Sequence, residues 1–522
     1  MSVQPPSRAA SSHPPDAAHD QEARAAWATF GLPPRFEQWL RRGLVVASGG
    51  VVVGWLFLAV VHLGDRYRVG HGQGVWIALA HHFNTEGLYP PLYDGTHYGG
   101  VRYMPLPFVA HGLLARLTDE YLTSGKLLGL VATFALLTLV FVTLRRSETP
   151  PTIAFGLTAA VIAGGAGLLG GTTIGGDVLP VLFQVGALAL VLEDRKGGLL
   201  GAAALCALAV LSRFNALWAP LAVTVWLWSS HRRRQAWTFL GAFVALSAVS
   251  LAMVNAVSDG RMLENVVGSA TAGINRPAEA VTAPLRFLDN IVEGAPSMWA
   301  LIPVVAFGAL LARRSPRTNL FLIALLFSVA ILLVSYADIG TGPNQLIDLI
   351  VLLALFLGAT AAVSGRVTLG QRIFAPILVL SLTWVTFTGL VVLMRPDLKE
   401  AIGIARGADS PYDPDPLREH LTAGMTILSE DPGVAALRGE TPVVFDPFMI
   451  RRIADRKPEL VDDLVRRIEA QEFDRLVLVV PLENDEIWWR DYHFGEELVS
   501  AMRASYAVEA TVAGYHLYRP SG

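Results

Sequence analysis

Eleven long apolar segments constrain the fold of this chain more than any other feature of its sequence. They occupy residues 43–63, 123–144, 153–172, 177–193, 198–212, 215–230, 236–257, 298–312, 318–336, 345–364 and 373–394. An α-helix needs about 20 apolar residues to cross the hydrocarbon core of a bilayer. Only 16% of the residues are charged, whereas about a quarter are charged in a typical soluble protein. The pattern therefore predicts an α-helical polytopic membrane protein with about 11 transmembrane helices.

Basic residues between these segments indicate which side of the membrane each connection faces. They lie at Arg41/Arg42, Arg145/Arg146, Arg195/Lys196, Arg232/Arg233/Arg234, Arg313/Arg314/Arg317 and Arg366/Arg372. Connections rich in Lys and Arg face the cytoplasm. A twelfth apolar segment, 104–118, is short, and treating it as an interfacial helix places every basic cluster on the cytoplasmic side. The amino terminus is then expected inside and the carboxyl terminus outside.

The same topology divides the chain into three regions. Residues 1–37 are rich in Pro, Ser, Ala and His and are predicted to be a disordered cytoplasmic tail. Residues 38–395 form the predicted transmembrane domain, with outer loops at 65–122 and 258–297. Residues 396–522 are predicted to form an extracytoplasmic α/β domain. Its strands are expected in TILSED, TPVVFDPF, FDRLVLVVPL and a hairpin ending AGYHLYRP, with helices at 433–438 and 458–471.

Composition and short motifs exclude several classes of function. The net charge of −3 gives no indication of a nucleic-acid partner. The single cysteine, Cys206, excludes an intrachain disulfide and a four-cysteine zinc site. The GAGLLG run at 165–170 matches the GxGxxG dinucleotide fingerprint, but no strand precedes it, so we interpret its glycines as a helix-packing surface.

Two acidic residues at the predicted outer ends of apolar segments are candidates for catalysis. Asp65 follows the first segment in HLGDRYRVGHG, and Asp177 opens the fourth in GTTIGGDVLP. The simpler interpretations are an interfacial anchor for Asp65 and a helix N-cap for Asp177. Acids at a membrane boundary are functional candidates because their burial there is unfavourable. A carboxylate in this position can take a proton from an acceptor hydroxyl, and the two acids together leave a divalent metal ion open as a cofactor.

Basic residues on the same predicted face are candidates for binding an anion. Arg213 in LSRFNALWAP lies between two apolar segments at the outer face, where the positive-inside rule disfavours it. A lipid phosphate is the anion that would account for its presence, and snorkelling to headgroups is the alternative. Lys126 and Arg102 are weaker phosphate-binding candidates.

Further polar residues on this face are candidates for substrate binding. Glu86, Tyr89 and Tyr93 in NTEGLYPPLYDG are expected at a sugar-binding rim, unless they belong to an interfacial aromatic belt. Asn344 and Asp348 in GPNQLID lie at the outer end of the tenth segment, where an acid favours a ligand or partner role over a structural one. The first outer loop also contains five histidines, which we interpret as polar surface residues rather than as a metal site: His71, His81, His82, His97 and His111.

The order of these motifs resembles that of bacterial membrane glycosyltransferases of the GT-C fold, labelled family 39 or dolichyl-phosphate-mannose-mannosyltransferase-like. Asp65 resembles the acid after the first span, and GLYPPLYD and YMPLPFVAHGLLARL follow it. GGDVLPVLFQVGALALVLED resembles the Asp-leading segment and GPNQLIDLIVLLAL the Asn/acid segment. LAVLSRFNALWAPLA resembles the basic segment, with Arg213 in place of the usual Lys. The resemblance covers most of residues 43–522.

The resemblance implies an inverting transfer of a hexosyl or pentosyl group on the outer face of the bacterial cytoplasmic (inner) membrane. The donor would be a polyprenyl-phosphate sugar in the membrane lipid, and the acceptor a hydroxyl of a glycan, lipid or protein. Asp65 would be the base, and Arg213, assisted by Lys126 or Arg102, would hold the leaving phosphate. Asp177 would orient the acceptor or a metal.

One departure from the family pattern and two rival functions bear on this expectation. Many relatives have a second acid after the first, whereas Arg66 follows Asp65 here, which argues against a metal pair in the first loop. A membrane transporter or flippase is the main alternative, and a non-catalytic sensor is the second. The sequence has no evident internal repeat and few deep charges, which favours the enzyme over the transporter.

Overall fold

The computed structural model describes residues 34–193, 197–267, 277–311, 315–338, 340–364, 369–454, 457–483 and 487–522. Most of the predicted tail lies outside these residues, as do the basic residues at 195, 196, 313, 314 and 366. Helices α1 to α16 are Pro34–Val61, His71–Thr85, Pro105–Thr118, Tyr121–Arg146, Pro151–Ala163, Gly165–Thr172, Val178–Glu193, Gly198–Ser212, Trp218–Ser229, Arg233–Val257, Pro277–Gly294, Ile302–Leu311, Pro316–Ser335, Ile347–Ser364, Leu369–Thr388 and Arg395–Ala405.

Six helices in the described part of the chain are long and apolar enough to cross a membrane, and two bent helix pairs raise this number to eight. The six run over Arg35–Val61, Tyr121–Arg146, Arg233–Val257, Pro316–Ser335, Pro343–Val363 and Ile373–Ala405. The predicted α-helical polytopic fold is confirmed. The number of spans is smaller than the eleven expected, because α7, α8 and α9 have only 16, 15 and 12 residues.

Glycines allow the predicted span 153–172 to form two helices instead of one. α5 and α6 form a bent pair with an angle of 76°. The backbone of Gly165 lies so close to Gly294 that a Cβ atom at residue 165 would be 2.4 Å from the Gly294 carbonyl oxygen. Only glycine permits this approach without displacement of the backbone. The GAGLLG run is therefore a packing surface, as its sequence context predicted.

Burial along the bundle identifies α14 as its centre. In the span Pro343–Val363, which contains α14, 83% of the apolar window is buried, against 6% for Arg233–Val257. The side chains that begin α14 therefore face other helices and not lipid. This position matters below, because Asp348 lies in the first turn of α14.

The first outer loop folds into two helices that pack against each other and against α4. α2 begins at His71, and α3 begins at Pro105. Proline is favourable at this first position of α3, because it has no backbone amide that would be left without a partner in the helix. α3 has 14 residues, too few to cross a bilayer. Its length agrees with the prediction of a short helix at 104–118, and its position at the membrane interface stays a prediction.

The carboxyl-terminal region contains a four-stranded sheet with the order β1–β2–β4–β3. β1 and β2 pair in parallel, and β4 pairs antiparallel with both β2 and β3. The predicted boundary at residue 396 is wrong, because residue 396 lies within the continuous helical segment Ile373–Ala405. The strands and helices of this region are β1 (Ile427–Ser429), β2 (Arg475–Leu478), β3 (Tyr506–Val512), β4 (Tyr515–Pro520), α17 (Asp415–His420), α18 (Gly433–Leu437), α19 (Pro447–Ala454), α20 (Pro458–Glu469) and α21 (Glu496–Ser505).

The segment TPVVFDPF joins the carboxyl-terminal region to the first outer loop. It was predicted as a strand, but Val444 makes only an isolated bridge, to Tyr98 of that loop. The Tyr98 amide donates to the Val443 carbonyl at 2.7 Å, and the Phe445 amide donates to the Tyr98 carbonyl at 2.9 Å. The backbone groups expected to join the sheet are thus bonded to the outer loop instead.

Basic residues predicted to face the cytoplasm meet at the end of the bundle away from this junction. Arg146 pairs with Glu193, the last residue of α7, and Arg317 donates to the Arg146 carbonyl at 2.8 Å. Asp177 precedes the first residue of the same helix, about 24 Å away for 16 residues. The predicted inner and outer polar residues therefore lie at opposite ends of α7.

Candidate active site

A polar cavity of about 300 Å³ lies where several elements of the bundle begin or end. Its walls come from the residues before α7, the ends of α8 and α13, and the turn Pro343–Leu346. α2 contributes Trp76, and the outer loop contributes Tyr103. Two cations and two anions line the cavity: Arg102, Arg213, Asp177 and Asp338.

Asp177 lies in this cavity with an accessible carboxylate. Its Oδ2 accepts a hydrogen bond from Asn344 Nδ2 at 2.7 Å, and its Oδ1 lies 3.8 Å from Arg213 Nη1. The Asp177 side chain is 29% exposed, so a ligand in the cavity can reach it. The structure thus brings together three of the residues singled out from the sequence.

Arg213 is held by Asp348, which accepts a hydrogen bond from Nη2 of the guanidinium. Trp218 Nε1 donates to the other oxygen of Asp348 at 2.7 Å, and Asp348 is only 2% exposed. The expectation that Asp348 binds substrate is therefore wrong, because both of its oxygens are engaged behind the cavity wall. Asp348 therefore supplies part of the negative charge that Arg213 was expected to find in a ligand.

Two donors of Arg213 lack hydrogen-bond partners in the described part of the chain. They are Nε and Nη1, and both are buried. Buried guanidinium donors without an acceptor are unfavourable. Because Arg213 lines the cavity, an anion bound there would satisfy them.

Arg102 is the second cation that lines the cavity. Its Nη1 donates to Asp338 Oδ2 at 2.9 Å, and its guanidinium stacks over the ring of Phe448 at 4.5 Å from the centroid. Phe448 belongs to α19, so the carboxyl-terminal region positions one of the two cavity cations. Arg286 of α11 donates to the Ala337 carbonyl at 3.3 Å, which places a third cation near the cavity.

Asp65 lies outside the cavity lining, in a separate buried cluster with Lys126. Its Oδ2 is 2.7 Å from His62 Nδ1 and accepts a hydrogen bond from Ser410 Oγ at 2.8 Å. Its Oδ1 accepts from the Tyr67 amide at 2.9 Å and from Lys126 Nζ at 3.4 Å. Lys126 also donates to the His62 carbonyl at 2.6 Å and is 2% exposed, so it is not a free phosphate ligand.

The surroundings of Asp65 make its carboxylate a weak base. Burial raises the pKa of Asp65, but the hydrogen bonds from His62 and the Tyr67 amide and the charge of Lys126 outweigh burial and hold it at about 2. A carboxylate with so low a pKa rarely takes a proton near neutral pH. The assignment of the base to Asp65 is not supported by this geometry, whereas Asp177 has an accessible carboxylate inside the cavity.

Glu86 and Tyr89 do not form a rim around the cavity. Glu86 accepts a hydrogen bond from Thr441 Oγ1 of the carboxyl-terminal region at 2.6 Å. Tyr89 is 1% exposed and donates its hydroxyl to the Tyr103 carbonyl at 2.9 Å. A side chain this buried cannot contact substrate, so the predicted role of Tyr89 is wrong, and the residue supports Tyr103 from behind.

The histidines of the first outer loop divide into distinct environments. His81, His82 and His111 are buried, which contradicts their interpretation as surface residues. His97 is partly exposed and bonds to Asp94 at 3.1 Å. His71 lies at the junction with the carboxyl-terminal region, where it contacts His493 and Trp488.

Asp65 and Asp177 do not form a metal site together in this geometry. Asp65 is already paired with a buried cation, Lys126, at 3.4 Å, and this charge would repel a metal ion at the same carboxylate. Asp177 lies beside Arg213, and a divalent cation would have to bind between these basic side chains. The predicted metal role of the two acids is therefore unsupported.

Several residues that shape the site were not identified from the sequence. Trp76, Tyr103 and Asp338 line the cavity. Asp338 lies in YADIGTGPNQ, six residues before Asn344. As an acid at the end of an apolar segment, it could have been predicted as a site residue in the same way as Asp177. Nothing local marks Ser410 as a partner of Asp65, because 345 residues separate them.

The chain is similar in structure to ArnT from Cupriavidus metallidurans. The crystal structure of ArnT bound to undecaprenyl phosphate aligns with a TM-score of 0.56 and 12% identity, over 90% of this chain and 97% of that chain. The apo structure aligns with a TM-score of 0.59 and 13% identity, over 93% and 98%. No protein-family model and no curated protein matches the chain. At this identity the likeness shows the fold alone: the chain is a multi-pass membrane protein with the fold of the GT-C glycosyltransferases.

Proposed function

We propose that the protein is an inverting glycosyltransferase that moves a hexosyl or pentosyl group from a polyprenyl phosphate to an acceptor hydroxyl. The observation that carries the proposal is the pair formed by Asp177 and Arg213 in one cavity, with two guanidinium nitrogens of Arg213 lacking hydrogen-bond partners in the described chain. An anion and a proton-bearing group can therefore bind side by side. The GT-C fold and the undecaprenyl phosphate bound to ArnT support this choice of donor.

The chemistry needs two groups in one site. The acceptor oxygen attacks the anomeric carbon, the bond from that carbon to the phosphate oxygen breaks, and the phosphate leaves with the electron pair. Asp177 takes the proton of the acceptor hydroxyl. Arg213 and Arg102 hold the negative charge that develops on the leaving phosphate. One displacement inverts the anomeric centre.

The location of the cavity favours transfer at the membrane surface. The cavity lies at helix ends, and the basic residues predicted to be cytoplasmic lie at the far end of α7. A polyprenyl chain would lie in the bilayer while its phosphate reached the cavity. The proposed reaction therefore takes place at the outer face of a bacterial cytoplasmic membrane, with a glycan, lipid or protein as acceptor. A transporter would instead place its binding site near the middle of the bilayer.

Binding of undecaprenyl phosphate to the purified full-length chain tests the donor assignment. Undecaprenol, which lacks the phosphate, is the matched ligand, and native mass spectrometry or thermal shift measures both. We expect at least about tenfold tighter binding of the phosphate, since a buried charged hydrogen bond contributes about 1.5–3 kcal/mol. Equal binding of the two lipids by the wild-type chain would refute the proposal.

Variants of the cavity make the binding test specific. The double variant Arg213→Gln/Asp348→Asn removes both partners of the buried pair, so that neither charge is left alone. It should lose the preference for the phosphate. Arg418→Gln removes a 51% exposed cation remote from the cavity and should keep it. Retention of the preference by the double variant would exclude Arg213 as the phosphate ligand.

Sugar transfer requires a separate experiment, because the sugar and the acceptor are unidentified. Mass spectrometry of envelope glycans and glycolipids from a deletion strain identifies the missing product. Complementation with the wild-type gene should restore that product, and complementation with Asp177→Asn should not, at matched protein levels. Restoration by Asp177→Asn would remove this residue from the proposed mechanism.

A further inference from the structure

Three potential metal ligands meet where the carboxyl-terminal region contacts the first outer loop. His71 begins α2, Glu430 follows β1, and His493 follows the short helix Trp488–Tyr492. Ligand atoms of the three side chains lie within 4.8 Å of one another. This cluster is separate from the cavity lining and has no part in the proposed transfer reaction.

Glu430 is held rigidly at the centre of this cluster. It is fully buried, and its Oε2 accepts a hydrogen bond from the Val479 amide at 2.7 Å. Its Oε1 accepts from Trp488 Nε1 at 2.7 Å and lies 2.6 Å from His493 Nδ1. Within the described residues, the ion-pair partner of Glu430 is His493. These hydrogen bonds stabilise the buried carboxylate, and a cation beside it would stabilise it further.

The two imidazoles face each other at this carboxylate. The rings of His71 and His493 are 4.3 Å apart between centroids and almost perpendicular, at 81°. His493 is 3% exposed, and Trp488 covers the edge of His71 at 5.4 Å. The His493 ring is thus shielded from bulk water, and the partly exposed ring of His71 lies close beside it.

We propose that His71, Glu430 and His493 form a binding site for a transition-metal ion, with Zn²⁺ as the best fit. Two imidazole nitrogens and one carboxylate oxygen are a common ligand set for Zn²⁺, which leaves a fourth position for water. Imidazole nitrogen favours Zn²⁺ over Mg²⁺ and Ca²⁺, which prefer ligand sets made of oxygen. The divalent charge would also neutralise the buried carboxylate of Glu430.

Such an ion would connect the carboxyl-terminal region to the helix that forms part of the cavity wall. His71 and Trp76 both belong to α2, five residues apart, and Trp76 lines the cavity. Metal binding would therefore fix the position of α2 relative to the sheet. This inference does not rest on the proposed transferase function, because metal binding is measured without any substrate.

The test measures metal content of the purified full-length chain, prepared without a polyhistidine tag. The chain is stripped with a chelator, exposed to Zn²⁺, desalted and assayed by elemental mass spectrometry. We expect about one Zn²⁺ per chain, and we expect Co²⁺ substituted for it to give the visible absorption of a four-coordinate site. A wild-type chain that retains less than about a tenth of an equivalent under these conditions would overturn the proposal.

Single variants separate this site from adventitious binding. His71→Ala removes the ligand that is not fully buried, so it is the variant least expected to disturb folding. His493→Ala removes the second imidazole. Both should lose the bound metal, whereas His420→Ala, an exposed histidine, should retain it. Folded His71→Ala protein that binds as much Zn²⁺ and Co²⁺ as the wild type would refute the assignment.

Discussion

Replacement of Asp65 with Asn distinguishes a structural carboxylate from a general base. Asn keeps the size of the side chain but removes its charge. It also replaces one accepting oxygen with a donating amino group. In the wild type, His62 and Ser410 contact one oxygen, and the Tyr67 amide and Lys126 contact the other. One of these pairs must therefore face a donor in the variant.

The expected loss of stability follows from the pKa of Asp65. The pKa falls from 3.8 to about 2, because the hydrogen bonds and Lys126 outweigh the opposing effect of burial. At about 1.36 kcal/mol for each pKa unit, the folded structure favours the ionised carboxylate by about 2.5 kcal/mol. Lys126 also loses its charged partner while it stays buried, which adds to the loss. We expect the free energy of unfolding to fall by about 2–4 kcal/mol.

The same pKa gives the expected pH dependence. The folded pKa of Asp65 is lower than the unfolded value, so its contribution is present in full above about pH 5 and is lost as the pH falls toward 2. The stability difference between wild type and variant should therefore be constant from neutral pH down to about pH 5 and shrink below it.

The assay compares stability and turnover in the same preparation. Denaturant unfolding in lipid nanodiscs is followed by tryptophan fluorescence. Turnover is followed by release of polyprenyl phosphate, with the donor and acceptor identified from the deletion strain, and is normalised to the folded fraction. Asp65→Asn should be less stable but retain turnover within about tenfold. Asp177→Asn should lose less stability than Asp65→Asn, because the Asp177 side chain is 29% exposed and contacts fewer donors. It should lose at least about a hundredfold in turnover, as expected for a general base. Asp409→Asn, an exposed acid next to Ser410, is the control for both measurements.

The opposite outcome would refute the reasoning. If Asp65→Asn unfolds at the wild-type denaturant concentration while turnover falls a hundredfold, Asp65 is the base, as the family resemblance implied. The assignment to Asp177 would then be withdrawn.

Two further predictions concern the junction and the cavity. Gly74→Ala should destabilise the junction by about 1–3 kcal/mol, because the new Cβ would lie 1.7 Å from Asp431 Oδ1. The loss should be measurable as faster proteolysis of the carboxyl-terminal region. Gly72→Ala in the same helix meets nothing within 4 Å and should leave proteolysis unchanged; equal effects of both variants would contradict the packing described. Arg213→Lys should weaken binding of undecaprenyl phosphate about tenfold and leave undecaprenol binding unchanged, since Lys lacks the planar fork of donors; unchanged phosphate binding would argue against direct contact.

The sequence was sufficient to predict that Asp177, Arg213 and Asn344 share one end of the bundle. Each lies at the end of an apolar segment, and the alternation of basic clusters assigns those ends to one side. The order of segments along the chain, however, does not determine which helices are neighbours. The predictions of which residues share an end of the bundle therefore agree with the structure more closely than the predictions of contact do.

Contacts between distant segments explain the remaining errors. Asp348 was expected to bind a ligand because an acid inside an apolar segment is unfavourable, and its actual partner, Arg213, is 135 residues away. The physical argument was correct about the need for a partner and wrong about its identity. In the same way, TPVVFDPF has the composition of a strand, but Tyr98 of the outer loop takes its backbone hydrogen bonds. Neither contact follows from local periodicity.

The motif Asp65–Arg66–Tyr67–Arg68 shows how one short segment can fix several distant parts of the chain. Arg66 pairs with Asp431, which is fully buried beside the sheet. Arg68 donates to Asp397 in α16 at 2.7 Å, and Tyr67 donates to the same carboxylate at 2.6 Å.

Asp431 belongs to the carboxyl-terminal region and Asp397 to the end of the helical segment Ile373–Ala405, whereas the motif itself directly follows α1. The ion pairs of Arg66 and Arg68 thus connect these later segments to the end of α1. The carboxyl-terminal region also places Phe448 against the cavity cation Arg102. An acid for which the family resemblance implied the role of base can therefore serve, in this chain, to hold the wall of the site in position. Measurements of stability and turnover on Asp65→Asn separate these two roles. Only the structural role predicts a loss of stability without a matching loss of turnover.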